Sequence, residues 1–255
     1  MKSYFKSCFK GISLIFLYFF FPSIIILLLN YIGIYPDKFF TLGKIIYLLG
    51  IELSLLFIVI LGLKKDLINN FKDFKKNFKE YFKKYHIYWF VMLFLMFMSS
   101  MFVSLFSSGI PQNEELIRET LSSSTLEFIY ILVSSILIAP FMEEFIFRGC
   151  VKKIVPLKWI FIIISGLFFG SMHVVGLAES LIDYLYILPY SIPGFVLAYT
   201  YCKSDNIFVP IGIHMFHNGV MLLMQVIMML GGNIWKGGKR CFGTSLLLYL
   251  YLVLF

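Results

Sequence analysis

The stretch ILIAPFMEEFIFRGC, residues 136–150, places two adjacent carboxylates and an arginine inside an otherwise apolar run. A charged side chain at the centre of a bilayer costs roughly 2.5–3.5 kcal/mol on insertion scales, so it needs a compensating role. The same dipeptide at Glu114-Glu115 lies among Pro, Gln, Asn and Arg, which predicts only a solvated surface loop. Residues 136–150 therefore predict a membrane helix that carries functional polar groups.

The composition of the whole chain supports a bilayer environment. Of its 255 residues, 60% are hydrophobic and 14% are charged, against about 25% charged in ordinary soluble domains. Lipid leaves only helices or closed barrels as spanning structures, and the long uninterrupted apolar runs lack the alternation of a barrel. We therefore expect an all-α polytopic membrane protein with about eight transmembrane helices.

Eight apolar runs are predicted to cross the membrane. They cover residues 12–31, 45–63, 87–106, 126–153, 157–177, 181–202, 207–230 and a short run ending at Phe255. Pro189 and Pro193 are expected to kink the sixth, and residues 203–206 to form a tight turn. The segments are thus an N-terminal transmembrane hairpin (1–63), a basic segment (64–86), a third span with an outer loop (87–125), a core (126–230) and a C-terminal span (231–255).

The basic segment 64–86 holds eight lysines. Its apolar residues recur at the spacing of one helix face, at Leu67, Phe71, Phe74, Phe78 and Phe82. This predicts an amphipathic helix on the cytoplasmic surface, where each lysine would gain about 1 kcal/mol from anionic lipid. The alternative is that the lysines only fix the topology by the positive-inside rule. Either interpretation explains most of the +8 net charge without nucleic acid.

The distribution of charge also predicts where the protein resides. With the basic segments on the inner side, both termini lie in the cytoplasm. The composition is rich in Lys, Ile, Phe and Asn, which is typical of proteins from AT-rich bacterial genomes. We therefore predict an integral protein of a bacterial cytoplasmic membrane.

Helix geometry divides the roles of the charged residues in 136–150. Adjacent residues on a helix point about 100° apart, so Glu143 and Glu144 cannot both face one substrate atom. Glu144 and Arg148 are four residues apart, lie on one face and suit a structural ion pair. Glu143 is then free to face a cavity and to act as a general base.

Two later spans bring histidines to the depth of Glu143. Glu143 precedes the turn near Pro156 by 13 residues and His173 follows it by 17, so their depths differ by about 6 Å. His214 enters the seventh span at a comparable depth, and Asn218 follows it by one helical turn. We therefore expect an active site between helices 4, 5 and 7 with Glu143, His173, His214 and Asn218 as catalytic residues.

These residues resemble the motifs of the CPBP family of intramembrane proteases, which includes type II CAAX prenyl endopeptidases and bacteriocin-immunity and abortive-infection relatives. The family carries EExxxR, FxxxH and HxxxN on successive helices. The same order stands here at Glu143-Glu144…Arg148, Phe169…His173 and His214…Asn218. The run YTYCKSDNIFVPIGIHMFHN, residues 199–218, also resembles the segment that precedes the family's last motif. The resemblance covers about residues 126–230, the protease core.

The resemblance implies a hydrolase in which Glu143 activates water for attack on a peptide carbonyl. His173, His214 and Asn218 would position that water, polarise the carbonyl or hold the oxyanion. The family is usually called a metalloprotease, so zinc held by Glu143, His173 and His214 is an open alternative. The HExxH, GxSG and GxGD motifs of other membrane proteases are absent from the sequence.

Three functions follow from this pattern. The leading one is an intramembrane endopeptidase that cuts a membrane-associated or lipid-modified peptide. The alternatives are a non-catalytic bacteriocin-immunity or scaffold protein and a proton-coupled transporter that uses the same Glu and His residues. The first half of the chain lacks a mirrored set of buried ionisable residues, which counts against an inverted-repeat transporter. Glu52, in the second span, and His217 have no assigned role.

Overall fold

The protein is all-helical, as predicted. A computed structural model describes residues 2–107 and 109–235, and no strand occurs within those ranges. Four of the described helices are long and apolar enough to cross a membrane. The all-α polytopic membrane fold is therefore confirmed. The number of eight spans stays a prediction, and most of the predicted C-terminal span, residues 236–255, lies outside the described residues.

The helices follow one another through short connections. In chain order they are α1 (Lys2–Tyr31), α2 (Thr41–Ser104), α3 (Gln112–Ser123), α4 (Thr125–Ile154), α5 (Lys158–Met172), α6 (Ile187–Ser204) and α7 (Phe208–Trp235). The 3-10 turns Pro36–Lys38 and Ile182–Tyr186 precede α2 and α6. Helices α4 to α7 correspond to the predicted core, 126–230.

Helix α4 contains two π-helical segments, Ser134–Ile138 and Glu144–Cys150. Pro140 has no backbone N–H and cannot bond to the carbonyl one turn earlier, which explains why the first segment departs from α-helical pairing. Segments of this kind are frequent at functional sites, because they shift side chains out of the regular α-helical register. The two segments flank Glu143 on both sides.

The basic segment 64–86 is helical, and its predicted location on the cytoplasmic surface stays a prediction. Helix α2 continues through it and joins the two apolar stretches predicted as the second and third spans. The sequence has no Gly or Pro between residues 64 and 104, so nothing ends the helix at the predicted boundaries. Instead, α2 kinks at Asn77 (φ −109°, ψ 19°), whose side-chain amide donates to Asp73 at 2.7 Å.

Both halves of α2 contact the turn between α6 and α7. Asn206 Nδ2 donates to the carbonyl of Asn70 at 2.7 Å and to Asp73 Oδ2 at 2.8 Å. Tyr85 donates to the carbonyl of Lys203 at 2.9 Å. A straight helix would separate Asn70 from Tyr85 by about 22 Å. The kink therefore lets α2 return along the bundle, as the two predicted spans require.

The predicted apolar face of the basic segment is only partly buried. Leu67 packs into the main core, whereas Phe71, Phe78 and Phe82 are each more than half exposed. Exposed phenylalanines beside lysines are the composition expected of a helix surface in contact with lipid headgroups.

The main core fixes the orientation of α4. Leu14 of α1, Val59 of α2 and Ile211 of α7 pack with Phe145 and Phe147 of α4 in one cluster of buried side chains. Phe145 and Phe147 lie three residues and one residue before Arg148, so their burial holds this part of α4 inside the bundle.

Glycines let α5 and α6 approach each other closely. A Cβ added to Gly194 would lie 2.7 Å from the Cα and the carbonyl oxygen of Gly166, and one added to Gly170 would lie 2.6 Å from the backbone nitrogen of Ser191. Gly166 and Gly170 form a GxxxG pair, the spacing that lets membrane helices pack backbone against backbone. This contact brings His173, directly after α5, against α6.

We expect Gly194→Ala to destabilise the protein by roughly 1–3 kcal/mol, because the added methyl group meets backbone that cannot rotate away. Gly212→Ala in α7 is the matched control, since a Cβ there has nothing within 4 Å and alanine favours a helix. Thermal unfolding in detergent measures the stability of both variants. A Tm for Gly194→Ala equal to that of Gly212→Ala would contradict the close approach of α5 and α6.

Candidate active site

The four predicted catalytic residues line one cavity. Glu143, His173, His214 and Asn218 contribute to the walls of a cavity of about 290 Å³. The structure thus brings together the side chains predicted on the fourth, fifth and seventh spans, and it adds α3 and α6 to the walls. The catalytic roles of these residues stay predictions.

Glu144 and Arg148 form the ion pair expected from their spacing. Arg148 Nη1 is 3.1 Å from Glu144 Oε1, an ionic contact without hydrogen-bond alignment, and both side chains are fully buried. Arg148 Nη2 also donates to the carbonyl of Gly194 at 3.2 Å. Its guanidinium lies over the ring of Phe169, 4.7 Å from the centroid. The pair therefore ties α4 to α5 and α6, which the spacing alone did not reveal.

Glu144 also orients His214. Its Oε1 atom accepts a hydrogen bond from His214 Nδ1 at 2.9 Å. An ionised carboxylate can only accept, so Nδ1 carries the proton, and Nε2 is the nitrogen that faces Glu143 at 3.7 Å from Oε2. A carboxylate that fixes one imidazole nitrogen so that the other faces the reacting group is a recurring catalytic device.

The backbone at the end of α5 orients His173. Its Nδ1 donates to the carbonyl of Phe169 at 2.9 Å, one of the last four carbonyls of the helix, which have no intrahelical partner. The ring stacks on Tyr190 of α6, with centroids 5.1 Å apart and planes at 13°. In the neutral ring Nε2 is then the acceptor. The four-residue spacing of FxxxH thus has a physical basis in this hydrogen bond.

Asn218 is anchored to the first π segment of α4. Its Nδ2 donates to the carbonyl of Ser135 at 2.8 Å, and Ser135 itself lines the cavity. An amide nitrogen carries two hydrogens, so Asn218 retains a second donor for a substrate oxygen. This hydrogen bond therefore fixes the side chain of Asn218 and gives a carbonyl of the π segment a partner.

Two residues without a predicted role have defined environments. His217 is buried on the cavity wall, and its Nδ1 has no hydrogen-bond partner within residues 2–107 and 109–235. Glu52 accepts hydrogen bonds from Tyr130 Oη at 2.7 Å and from Ser134 Oγ at 3.0 Å. It lines a second cavity, of about 340 Å³, whose wall Glu143 shares. Glu143 thus stands between two cavities.

Glu114 was predicted to lie in a solvated loop, and this prediction is wrong. It is 3% exposed on α3, accepts a hydrogen bond from Gln225 Nε2 and lines the active-site cavity. Its burial comes from a contact between residues 111 positions apart, which local composition cannot show. Glu115 is exposed, as predicted. The sequence could have indicated Gln225 as a site residue, because it lies three helical turns after His214 on the same face of the helix.

Zinc bound by Glu143, His173 and His214 stays a prediction. Within the described part of the chain, no group of three His, Cys, Asp or Glu side chains could hold a metal ion. The Nδ1 atoms of His173 and His214 already bond to protein oxygens, and their Nε2 atoms do not gather with Glu143 into a set of three ligands. A structural or catalytic zinc site needs at least three such donors.

Residues 125–220 match the family described as "Type II CAAX prenyl endopeptidase Rce1-like". The predicted resemblance is confirmed. The matched segment contains all three motifs, from Glu143 to Asn218. A curated relative, "Putative membrane peptidase YdiL" of Bacillus subtilis (strain 168), is 29% identical over 146 residues, which cover 51% of this chain and 55% of the relative. The chain thus spans about half the length of the curated relative that it matches. No solved structure was found to match the chain.

Proposed function

We propose that the protein is an intramembrane endopeptidase that hydrolyses a peptide bond in a membrane-associated or lipid-modified peptide. The observation that carries this proposal is the meeting of three motif helices around one cavity, which Glu143, His173, His214 and Asn218 line. The matched family and the name of the bacterial relative support the class of membrane protease.

Glu143 is the carboxylate best placed to act as the general base. Its side chain is 17% exposed and lines the cavity, whereas Glu144 is fully buried against Arg148. In the proposed reaction, Glu143 takes a proton from water while the water oxygen bonds to the peptide carbonyl carbon. The C–N bond then breaks, and the proton passes to the leaving amine.

The other polar groups position the reactants. His214, held by Glu144, directs Nε2 towards Glu143 and so can orient either that carboxylate or the attacking water. His173 presents its Nε2 from α5, and Asn218 retains an amide donor for the developing oxyanion. One donor of this kind is worth about 10²–10³ in kcat in other hydrolases.

Chelation tests the metal-free version of this mechanism. Because the donors do not gather into a three-ligand set, we expect cleavage by the purified protein to continue after treatment with EDTA and 1,10-phenanthroline. A known zinc protease in the same detergent is the positive control for chelation. Loss of cleavage that added Zn²⁺ restores would instead establish a zinc enzyme.

The substrate can be sought by comparing membrane peptides in cells that express the wild type or Glu143→Gln. We expect a precursor to accumulate, and its fragments to disappear, in cells with the variant. Identical peptide profiles combined with an unchanged cellular phenotype would favour the non-catalytic immunity or scaffold function. Uptake driven by a pH gradient in proteoliposomes would favour the transporter.

We further propose that the basic part of α2 binds anionic lipid at the cytoplasmic face of a bacterial membrane. Eight lysines in residues 64–86 and the exposed side chains of Phe71, Phe78 and Phe82 support this interaction. The positive-inside rule supports placing this end of the bundle, and both termini, in the cytoplasm.

A further inference from the structure

The active-site cavity has a second polar end, far from Glu143 along α7. Glu114 of α3 and Gln225 of α7 are both buried there, and Gln225 Nε2 donates to the Glu114 carboxylate. Both residues line the cavity that Glu143 and His214 also line. A carboxylate in an apolar bundle is costly, so its place on the wall of a substrate cavity indicates a role in binding.

The cavity follows one stripe of α7. His214, Asn218, Met221 and Gln225 are spaced by four, three and four residues, and all of them line it. The 11 residues from His214 to Gln225 span about 16 Å of helix at 1.5 Å per residue. An extended peptide covers that length with about five residues at 3.3 Å each.

Much of the rest of the cavity wall is apolar. Its apolar residues include Met96, Ile117, Ile131, Met221 and Leu222. A charged group held against this wall would lose its hydration without gaining a partner, which is unfavourable. A polar group on a bound peptide is therefore accommodated at the two ends, and the end away from the catalytic residues offers a carboxylate.

We propose that Glu114 is a specificity-determining residue that selects a basic group on the substrate, about five residues from the bond that is cleaved. This inference rests on the proposed function and names what its site selects. A carboxylate has about four acceptor positions, so a substrate group can bond to Glu114 alongside its partners in the protein. Opposite charges also attract more strongly in a cavity of low dielectric constant than in water.

A basic group on the substrate would compete with Arg118 of the protein for the Glu114 carboxylate. Arg118 lies four residues after Glu114, on the same face of α3, and is half-buried. An ammonium or guanidinium group on the substrate would share or take over the attraction that Glu114 exerts on Arg118. Removal of Arg118 should therefore strengthen the preference for a basic substrate, whereas removal of the Glu114 charge should abolish it.

Peptide binding to the full-length Glu143→Gln protein in detergent micelles tests this inference without cleavage. The probes are labelled Leu- and Ala-rich peptides with one Lys moved along the sequence, and matched peptides with norleucine, which lacks the ammonium group. We expect Lys at one position to tighten binding at least about ten-fold, the effect of one charge-assisted hydrogen bond. Acetylated and free amino termini distinguish a side-chain ammonium group from a terminal one.

Matched variants assign the preference to Glu114. Glu114→Gln should remove it, Glu115→Gln should keep it because Glu115 is the exposed neighbour, and Arg118→Gln should increase it. Thermal unfolding shows whether each variant is folded. If Glu114→Gln does not fold, the Arg118→Gln variant tests the inference instead. A Lys preference that is the same in Arg118→Gln as in the parent protein would contradict the competition between Arg118 and the substrate for Glu114.

Three results would overturn the inference. The first is equal binding of Lys and norleucine peptides at every position, and the second is a preference that survives Glu114→Gln. The third applies if Glu114→Gln does not fold, and it is a preference that Arg118→Gln leaves unchanged. Cleavage of the same peptides by the wild type tests the proposed function separately. A Lys preference in binding without any cleavage would support the basic subsite and contradict the proposed peptidase function. Cleavage without a Lys preference would support the peptidase function and contradict the basic subsite.

Discussion

Glu143→Gln is expected to lower peptide cleavage at least about a hundred-fold while the protein stays folded in the membrane. General-base catalysis contributes about 10²–10⁴ to the rate, and glutamine cannot accept the proton. The side chain lies on the cavity wall and lacks the ion pair with Arg148 that holds Glu144. Its neighbour His214 keeps the hydrogen bond to Glu144 in the variant, so the fold should be retained. Cleavage rates of a substrate peptide measure the loss of activity, and thermal unfolding of the same preparation shows whether the protein stays folded.

The matched control for this variant is Glu119→Gln, the same chemical change on an exposed residue of α3. It should leave both cleavage and Tm within error of the wild type. If Glu143→Gln also cleaves at the wild-type rate, Glu143 is not the base, and the proposed mechanism fails.

Arg148→Met is expected to destabilise the protein by about 3–5 kcal/mol, because it leaves the fully buried Glu144 without its cation. Cleavage should fall as well, since Glu144 also fixes His214. The double variant Glu144→Leu/Arg148→Met should regain much of the lost stability but none of the activity. Unfolding midpoints and cleavage rates of the three proteins separate the structural contribution of the pair from its effect on His214.

An exposed ion pair provides the comparison for this prediction. Lys152 lies 3.1 Å from Asp205, whose side chain is 89% exposed, so Lys152→Met should change stability by less than about 1 kcal/mol. If Arg148→Met unfolds at the wild-type temperature yet is inactive, Arg148 acts in the chemistry rather than in holding the site.

The site motifs were predictable because their geometry is local or nearly so. A spacing of four residues places Glu144 and Arg148 on one helix face in any helix, and the depth of Glu143 relative to His173 follows from counting residues to a turn. The sequence could not show that Arg148 also reaches Gly194 and Phe169, since those contacts depend on how close α5 and α6 approach.

The wrong prediction concerns a feature that local sequence does not determine. Glu114 lies in a polar stretch, yet α3 folds over the cavity and buries it against Gln225, a contact between distant parts of the chain. The absence of Gly and Pro between residues 64 and 104 indicated that this stretch stays helical, but hydropathy divided it into separate segments. The kink at Asn77 reconciles this helix with two crossings. Asn77 donates to Asp73 there, and Asp73 also accepts a hydrogen bond from Asn206.

The π segment Ser134–Ile138 has a consequence for how this site tolerates evolutionary change. A π turn accommodates one more residue than an α turn, so deletion of a single residue there would restore α-helical pairing. Such a deletion would rotate everything before it by about 100° relative to Glu143. Ser135 would leave Asn218, and Ser134 would leave Glu52. Length, as well as residue type, is therefore under constraint between Val133 and Glu143.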